Sequence, residues 1–553
     1  MEEEPNYFLN QFAIQIWRDL TEYLMSHPET LVDSYFQYWQ SYMELIQASQ
    51  KQSDITQHLN KQFQHADWQS NIIFNFIERS YLLFAKHIEQ FSQNLIIEDE
   101  KIRKRVQFYS KQFIDSLSPC NFINTNPAVL EKIIKTNGQN IIDGFKRFQE
   151  DLRLGHGQLQ IQQTDFSVYK LGNNIACTPG KVIYQNDLMQ LIQYNPSTTR
   201  VHSIPLLMIP PWINKYYILD MQVANSFVKW LVDQGYIVFM ISWVNPTKVH
   251  EQKEFSDYLQ EGPLCALTLI QSVVGHNKIN LLGYCIGGTL LACLLAYLAK
   301  NKSNSEIMSA TFLTTLLDFS EPGELGIFID EKQIALIENE MMQSGYLDGR
   351  ILSAVFNALR AKDLIWMAFV QNYLIGEKPK PFDFLFWNAD CTNVPAKVHQ
   401  FYLRNMYLKN LLIRPNQITL NNVAIDLNQI TTPSYFLAAH DDHIAPWQSC
   451  YQSYLCIPSE KQFVLTESGH VAGVINPPYK NKYVYWKNTT LVSDAAQFLE
   501  SAQKYHGSWW LDWEEWLKKF SGESIPAEEI NWQAYAAIEE APGSYVKRKV
   551  FDL

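Results

Sequence analysis

Apolar residues recur at three- and four-residue spacing along the first 160 or so residues of the chain. The stretches "NQFAIQIWRDLTEYL" and "DSYFQYWQSYMELIQ" both show this spacing, and Pro28 separates them. The spacing places the apolar side chains on one face of a helix, and a proline interrupts helical structure. The pattern therefore predicts a mostly helical N-terminal domain over residues 1–160.

The pattern changes after Gly155. Short β-branched runs broken by Gly, Asn and Pro, as in "NNIACTPGKVIYQNDLMQLIQY", are typical of antiparallel hairpins. Strand-like runs then alternate with helical ones: "IPLLMI" precedes "ANSFVKWLVDQG", "YIVFMISW" precedes "EGPLCALTLIQSVVG", and "KINLLGY" precedes "GGTLLACLLAYLAK". Such alternation predicts a parallel sheet with helices on both faces. We expect one α/β domain over residues 161–553.

The alternation pauses between about residues 320 and 430, where the sequence is helical and aromatic. It resumes with the strand-like runs "PSYFLAA" and "KQFVL". An insertion late in the order of a sheet indicates a cap or lid over the ends of the strands.

One stretch has the length of a membrane span, because Leu281 to Ala299 contains no charged residue. Gly283, Gly287 and Gly288 interrupt it near its start. We interpret it as a buried strand followed by a buried helix, so no membrane span is expected.

Composition narrows the possible partners and the compartment. The 553 residues are 47% hydrophobic and 18% charged, which is typical of a chain with a large core. The net charge of −12 disfavours nucleic acid and anionic membranes as partners. The start "MEEEPNYFLN" lacks the order of a signal peptide, and the eight cysteines form no C-x-x-C pair. These features favour a cytoplasmic protein with reduced thiols and no metal site.

The stretch "LLGYCIGGTL" contains G-x-C-x-G, the nucleophile elbow of an α/β-hydrolase fold with Cys285 as the nucleophile. We expect Gly283 and Gly287 to allow the tight turn and Gly288 to allow close helix–sheet packing. A helix N-terminus favours a thiolate, and the Ile286 amide is a candidate oxyanion donor. Seven other cysteines are interpreted as structural: Cys120, Cys177, Cys265, Cys293, Cys391, Cys450 and Cys456.

A thiol nucleophile needs a base and a group that orients the base. In this fold the chain order is nucleophile, acid, histidine. The loop "ESGH" supplies His470 as the base, and the loop "HDDHIAPW" offers Asp441 or Asp442 as the acid. Local spacing leaves these two aspartates undecided. His440 and His443 are expected to brace that loop.

The second oxyanion donor in this fold comes from the loop after an earlier strand. Here that loop is "IPPWINKYYILD", in which Pro210 and Pro211 fix the path of the backbone. The Trp212 or Ile213 amide is the candidate donor, and an ordinary proline turn is the alternative.

Collinear motifs along the chain resemble those of the polyhydroxyalkanoate synthases. They are "PPWINKYYILD", "GYCIGGT", "TTLLDF", "WNADCTNVP", "FYLRNMYL", "DHIAPW", "SGHVAGVINPP" and the tail "HGSWWLDWEEWL" with "APGSYV". The resemblance runs from about residue 110 to the C-terminus. It implies that Cys285 is the nucleophile, His470 the base, and Asp442 the acid.

The resemblance also implies a function. Members of this family polymerise (R)-3-hydroxyacyl-CoA into a polyester stored in cytoplasmic granules and release coenzyme A through an acyl-cysteine. The coenzyme A thioester is then the substrate, and no separate cofactor is expected. A long single chain resembles the class I type, which makes poly-3-hydroxybutyrate, forms homodimers and needs no partner subunit. The expected partners are therefore the acyl-CoA, the growing polyester and the granule surface.

Two other functions remain open on the residues alone. A cysteine-based esterase or thioesterase would share the fold but use water as the acceptor, and a granule-coat or scaffold protein would not use the triad. Trp212 and Tyr284 are expected to shorten the acyl pocket. Trp387–Asn393 lies in the cap, and its role is undecided between core packing and a function there. The role of the aromatic tail "SWWLDWEEW" is undecided between core packing and contact with polymer.

Overall fold

A computed structural model describes residues 18, 20–21, 23–50, 62–155, 157, 159–302, 306–488 and 492–550. The chain divides into two compact units. The first comprises residues 1–166 and 354–382, and the second comprises residues 167–353 and 383–553. The predicted helix at "NQFAIQIWRDLTEYL" lies largely outside the described residues.

The first unit is built from helices. They are α1 (Pro28–Gln50), α2 (Asp67–Ser70), α3 (Ile72–Asn94), α4 (Glu100–Ser116), α5 (Pro127–Thr136) and α6 (Gln139–Leu154). Asn71, Asp99 and Asn126 each cap a helix, because their side chains accept first-turn amide hydrogens. Asn137 in the left-handed conformation ends α5, and α6 begins after Gly138. The sequence pattern thus correctly predicted helices here.

Residues 354–382 belong to the first unit although the sequence pattern places them in the cap insertion. The Asn140 side chain of α6 donates to the Leu374 carbonyl at 2.7 Å, and the Tyr373 hydroxyl donates to Asp151. A Cβ on Gly144 would lie 1.9 Å from the Tyr373 carbonyl oxygen. The glycine therefore allows this segment to lie directly on α6.

The second unit contains an eleven-stranded sheet in the order β15-β14-β13-β12-β7-β6-β4-β5-β2-β1-β17. The strands of the chain are β1 (Gly180–Gln185), β2 (Met189–Tyr194), β3 (Arg200–His202), β4 (Leu206–Ile209), β5 (Val238–Trp243), β6 (Ile279–Tyr284), β7 (Ile307–Leu313), β8 (Tyr346–Leu347), β9 (Val394–Pro395), β10 (Ile418–Leu420), β11 (Val423–Ile425), β12 (Ser434–Ala439), β13 (Lys461–Thr466), β14 (Val484–Lys487), β15 (Gln503–His506), β16 (Ser524–Pro526) and β17 (Glu539–Glu540).

The remaining helices follow the strands and fill the insertion. They are α7 (Phe227–Asp233), α8 (Phe255–Leu259), α9 (Cys265–Val274), α10 (Ile286–Lys300), α11 (Glu331–Ser344), α12 (Gly349–Leu359), α13 (Met367–Phe369), α14 (Asp383–Ala389), α15 (Ala396–Phe401), α16 (Trp447–Leu455), α17 (Ala495–Ser501) and α18 (Trp509–Lys518).

Strands β5, β4, β6, β7, β12 and β13 run parallel, with antiparallel strands at both edges. Every residue of β5, β6 and β12 is buried, which is why these strands read as continuous apolar runs. Tyr284 is paired with Leu313, and Ala439 is paired with Thr466. The carboxyl ends of β6, β7, β12 and β13 therefore meet at one edge, as in the α/β-hydrolase fold that the sequence predicts.

The uncharged stretch from Leu281 to Ala299 is strand β6 followed by helix α10. Nearly every side chain of α10 is buried within the second unit. Among the described residues, no helix has both the length and the apolar character needed to cross a membrane.

An insertion separates β7 from its sheet neighbour β12, where the sequence predicts a cap. Its part within the second unit contains α11, α14, α15 and the antiparallel pairs β8–β9 and β10–β11. A helical turn at Tyr402–Leu408 follows α15, and the Tyr402 hydroxyl lies 3.4 Å from the Thr289 hydroxyl of α10. The insertion is thus anchored next to the first turn of α10.

The aromatic tail forms part of the core. Trp509, Trp510 and Trp513 of α18 are fully buried. The Trp510 ring lies 4.6 Å from the Phe227 ring of α7. Of the two roles left open for the tail, the structure shows packing against the core.

Candidate active site

Cys285 lies in a sharp turn between the end of β6 and the start of α10. Its backbone has φ 53° and ψ −123°, a conformation that is rare for a residue with a side chain. Such strain costs about 1–3 kcal/mol and persists only where surrounding bonds fix it. The Cys285 amide donates to the Leu313 carbonyl at 2.9 Å, and its carbonyl accepts from the Gly288 amide at 2.9 Å.

The three glycines of the motif allow neighbouring atoms to pack where a side chain would stand, and none of them has a positive φ. A Cβ on Gly283 would lie 2.5 Å from the Gly288 Cα, and one on Gly287 would lie 2.2 Å from the Ile209 carbonyl oxygen. A Cβ on Gly288 would lie 2.0 Å from the Thr315 hydroxyl. Gly283 and Gly287 thus allow the tight turn as expected, through their missing side chains, while the residue with positive φ is Cys285 itself.

His470 and Asp442 are hydrogen-bonded and buried. His470 Nδ1 lies 2.6 Å from Asp442 Oδ2. The other oxygen, Asp442 Oδ1, accepts from the amides of Ile444 and Ala445 at 2.8 and 2.9 Å. Since Nδ1 is bound to the carboxylate, Nε2 is the ring nitrogen that can serve Cys285.

Asp441 points in a different direction from its neighbour. Its carboxylate lies 2.8 Å from His440 Nδ1 in an exposed pair, so Asp441 does not orient His470. The Asp441 amide donates to the Ser468 carbonyl at 2.8 Å and joins the two loops. Of the two aspartates that spacing left undecided, Asp442 contacts His470.

The surroundings of His470 favour its charged form. Burial opposes protonation of the imidazole, but the negative charges of Asp442 and of a Cys285 thiolate, with hydrogen bonds to both, outweigh it. The pKa of His470 therefore lies well above its ordinary value. The arrangement therefore favours a protonated imidazole at His470.

Most of the other thiols are poor candidates for a nucleophile. Burial raises the pKa of six of them, which keeps them protonated and unreactive. They are Cys120, Cys177, Cys293, Cys391, Cys450 and Cys456.

Tyr284 contacts His470 through both its hydroxyl and its ring. Its hydroxyl donates to the His470 carbonyl at 3.1 Å, and the two rings stack with centroids 5.4 Å apart. The Tyr284 side chain is fully buried. These contacts hold the phenol beside His470, and its expected role in shortening an acyl pocket stays a prediction.

Trp212 is also part of the core. Its ring packs against Trp243, Phe255 and Tyr258 and is 2% exposed. Its expected role in shortening an acyl pocket stays a prediction.

The loop after β4 lies against the elbow, as the oxyanion hypothesis requires. Gly287 of α10 contacts the Ile209–Pro210 peptide, and the Trp243 indole fixes the Pro210 carbonyl at 2.9 Å. Ile286 is the first residue of α10, and a first-turn amide has no acceptor within its own helix. The first turn of α10 and the start of the loop that carries Trp212 and Ile213 are thus in contact.

Several supporting residues were not predicted from the sequence. The Thr315 hydroxyl donates to the carbonyls of Leu313 and Cys285. The Trp509 and Trp510 indoles donate to the Val474 carbonyl in the loop after His470, at 3.1 and 2.9 Å. The contacts of Thr315 with Cys285 and of both indoles with Val474 join residues at least 30 positions apart, so no local signal marks them. In the described part of the chain, no cluster of His, Cys, Asp or Glu is arranged to hold a metal ion.

Comparison with known proteins covers nearly the whole chain. Residues 59–231 match the family model described as the N-terminus of poly-beta-hydroxybutyrate polymerase (PhaC), and residues 266–477 match the alpha/beta hydrolase fold.

Curated relatives extend the match. The chain is 42% identical over 543 residues to a poly(3-hydroxyalkanoate) polymerase subunit PhaC of Rhizobium etli, covering 96% of this chain and 85% of the relative. It is 44% identical over 491 residues to a poly(3-hydroxyalkanoate) polymerase of Methylorubrum extorquens, covering 89% and 81%. It is 40% identical over 531 residues to the PhaC subunit of Cupriavidus necator, covering 94% and 89%. The chain therefore belongs to the poly(3-hydroxyalkanoate) polymerases, the acyltransferase family whose motifs it carries.

Proposed function

We propose that this protein polymerises (R)-3-hydroxyacyl-CoA into polyester and releases coenzyme A, with Cys285 as the residue that carries the acyl chain. The observation that supports this most is the contact of Asp442 with His470 beside the strained Cys285 turn. The alternative of a cysteine esterase or thioesterase is not favoured, because the chain's relatives are polymerases over nearly its full length.

Acylation begins when the Cys285 thiolate attacks the thioester carbonyl carbon. The carbonyl oxygen becomes an oxyanion, which the amides of Ile286 and of Ile213 or Trp212 stabilise. When the tetrahedral intermediate collapses, the carbon–sulfur bond to coenzyme A breaks. The proton on His470 Nε2 passes to the departing coenzyme A thiolate. The product is a thioester on Cys285 and a neutral imidazole.

In elongation His470 takes up a proton, whereas in acylation it gives one up. The 3-hydroxyl of an incoming acyl group gives its proton to His470 Nε2, and its oxygen attacks the acyl carbon on Cys285. The new ester bond forms as the bond to the Cys285 sulfur breaks, which restores the thiolate–imidazolium pair. Asp442 keeps Nδ1 protonated throughout and stabilises the imidazolium.

A thiol suits this reaction better than a hydroxyl does. Exchange of one thioester for another conserves the activation of the acyl group, whereas a serine ester would lose it. Hydrolysis competes only when water reaches the acyl-enzyme, and a cap that excludes water suppresses it. We assign that role to the insertion between β7 and β12.

We propose (R)-3-hydroxybutyryl-CoA and other short acyl groups as the preferred substrates, with no cofactor besides the coenzyme A carried by the substrate. The proposal rests on the resemblance to class I enzymes. Only one stereoisomer brings the 3-hydroxyl within reach of His470 once the acyl group is on Cys285. We further propose that the protein acts in the cytoplasm as a homodimer at the surface of polyester granules.

An assay of coenzyme A release together with turbidity tests the function. Wild-type protein with (R)-3-hydroxybutyryl-CoA should release coenzyme A and turn cloudy. Cys285→Ala should do neither, while Cys456→Ala, a matched control at a thiol whose pKa burial raises to about 12, should retain activity. Coenzyme A without turbidity would indicate a hydrolase, and the absence of both from wild-type protein would indicate a scaffold.

A further inference from the structure

A buried ion pair joins the loop after β4 to the segment Trp387–Asn393, whose role the sequence left undecided. Lys215 Nζ lies 2.6 Å from Asp390 Oδ1, with side chains only 3% and 9% exposed. The Tyr217 hydroxyl donates to Asp390 Oδ2 at 2.9 Å. Both oxygens of the carboxylate are thus engaged by residues of one loop.

The same segment also holds the backbone of that loop. Asn214 and Cys391 form an isolated antiparallel bridge, and the Trp387 indole donates to the Lys215 carbonyl at 2.7 Å. The Thr392 hydroxyl donates to the Trp212 carbonyl at 2.7 Å, and the Thr392 amide donates to the Ile213 carbonyl at 3.3 Å. Four consecutive residues, 212–215, therefore have their orientation set by residues 387–392.

Asn393 fixes the segment itself to the core. Its backbone amide donates to Asn245 Oδ1 at 2.9 Å, and its side chain donates to the Pro246 carbonyl at 3.0 Å. The Gly349 amide donates to Asn393 Oδ1 at 2.9 Å. The loop after β4 is therefore held by a segment that is itself anchored to the loop after β5.

The orientation of the peptide between Trp212 and Ile213 relates these contacts to the candidate oxyanion donors. In a trans peptide the C=O and the following N–H point in opposite directions. The Trp212 carbonyl points at Thr392, so the Ile213 amide points away from the segment. The Ile213 amide, one of the two candidate oxyanion donors, therefore does not face Thr392.

We propose that Asp390, through Lys215 and Tyr217, is a positioning residue that keeps the Ile213 amide aligned for the oxyanion. This inference rests on the proposed function, in which acyl transfer to Cys285 passes through an oxyanion. Loop 212–217 carries a donor that must keep its geometry closely, and a misplacement of about 1 Å can lower a rate on the order of 100-fold. A buried carboxylate with two directed partners on the loop supplies that constraint.

Asp390→Asn tests the proposal, because amide replaces carboxylate at nearly the same size and cannot neutralise Lys215. We expect kcat for coenzyme A release from (R)-3-hydroxybutyryl-CoA to fall roughly 10- to 100-fold, which is at or below the roughly 100- to 1,000-fold loss seen when an oxyanion donor is removed outright. KM should change less than about twofold, because the oxyanion exists only in the transition state. The rate of Cys285 alkylation by iodoacetamide should not change, because alkylation forms no oxyanion.

Asp512→Asn is the matched control. Asp512 is a buried carboxylate that also pairs with a lysine, Lys487, and accepts from a tyrosine, Tyr435, at 3.0 Å. Tyr435 lies near the start of β12, at the opposite end of that strand from Asp442. This variant should lose thermal stability as Asp390→Asn does, yet keep kcat.

Tyr217→Phe provides a milder second variant that removes one directed partner and preserves the ion pair. It should lower kcat several-fold with an unchanged alkylation rate, and it keeps the proposal testable if Asp390→Asn does not fold. If Asp390→Asn folds, a wild-type kcat in both variants would overturn the positioning role. If it does not fold, a wild-type kcat in Tyr217→Phe alone would overturn it. So would a loss of alkylation rate equal to the loss of kcat. Failure of the proposed function looks different, because wild-type protein would then release no coenzyme A or Cys285→Ala would remain active.

Discussion

The carboxylate of Asp442 lies 2.6 Å from Nδ1 of His470, with its other oxygen bonded to two backbone amides. Three hydrogen bonds therefore hold the Asp442 carboxylate in place without bound substrate. The imidazole is consequently held in one orientation and one tautomer, with Nε2 available to the thiol.

Asp442→Asn should slow elongation more than acylation. A thiol needs less help to attack a thioester than a hydroxyl does, and the 3-hydroxyl is a weak acid that needs a well-oriented base. Rapid-quench measurement of the first coenzyme A released, compared with the steady-state rate, separates the two steps. Asp441→Asn is the control and should behave as wild type, because Asp441 pairs with His440 at the surface. A damaging Asp441→Asn with a silent Asp442→Asn would show that the acid has been misassigned.

His470→Gln should impair both steps, since one base serves acylation and elongation. General-base catalysis contributes about 10²- to 10⁴-fold, and we expect a fall in kcat of that order. The same rapid-quench experiment should show the initial release and the steady-state rate reduced together. Normal initial release with only the steady state impaired would restrict His470 to elongation.

Gly287→Ala should abolish activity or folding, because the added Cβ would lie 2.2 Å from the Ile209 carbonyl oxygen and push α10 away from the oxyanion loop. Gly469→Ala is the matched substitution one residue before His470. Its Cβ would meet the Asp441 carbonyl oxygen at 3.5 Å, an ordinary contact, so most activity should survive. Steady-state rates and thermal unfolding of both variants check the contrast, and an active Gly287→Ala would refute the close approach.

Asp220→Asn should stabilise the protein, and more at higher pH. Burial raises the pKa of Asp220 to about 6, against hydrogen bonds from Ser226 and Thr178 that favour the charged form. Because an unfolded aspartate titrates near pH 4, ionisation makes the folded state less stable as pH rises from about 4 to about 6. The asparagine lacks this penalty and should be more stabilising at pH 7.5 than at pH 4.5 by about 2 kcal/mol. Urea unfolding at the two pH values measures the difference, and an equal effect at both would contradict the raised pKa.

The alternating strands and helices could be predicted because central strands buried on both faces leave continuous apolar runs in the sequence. Strand β6 and helix α10 are the clearest example, since the uncharged stretch marks both. The short antiparallel edge strands β14 and β15 carry no such signal, because their residues are partly exposed. The packing of residues 354–382 on α6 depends on contacts distant in sequence, and local patterns contain no information about them.

In the candidate site, too, local sequence patterns identified some residues but not the contacts between residues distant in sequence. Cys285 and His470 could be recognised because each lies in a motif directly after a strand. The choice between Asp441 and Asp442 could not be made from spacing, because adjacent residues in a loop point in opposite directions and only the fold decides which one faces inward. The Lys215–Asp390 pair joins residues 175 positions apart by their numbering, so no motif reveals it.

Trapping of the acyl-enzyme tests the central claim most directly. Butyryl-CoA has the thioester but lacks the 3-hydroxyl, so it should acylate Cys285 and then stop. Mass spectrometry of the protein after brief incubation, acid quench and digestion should find one butyryl group on the peptide that contains Cys285. Cys285→Ala should carry none, and Cys285→Ser should acylate far more slowly because His470 must then activate a less acidic hydroxyl. A butyryl group on another residue of the active wild-type protein, or its persistence in Cys285→Ala, would contradict the account.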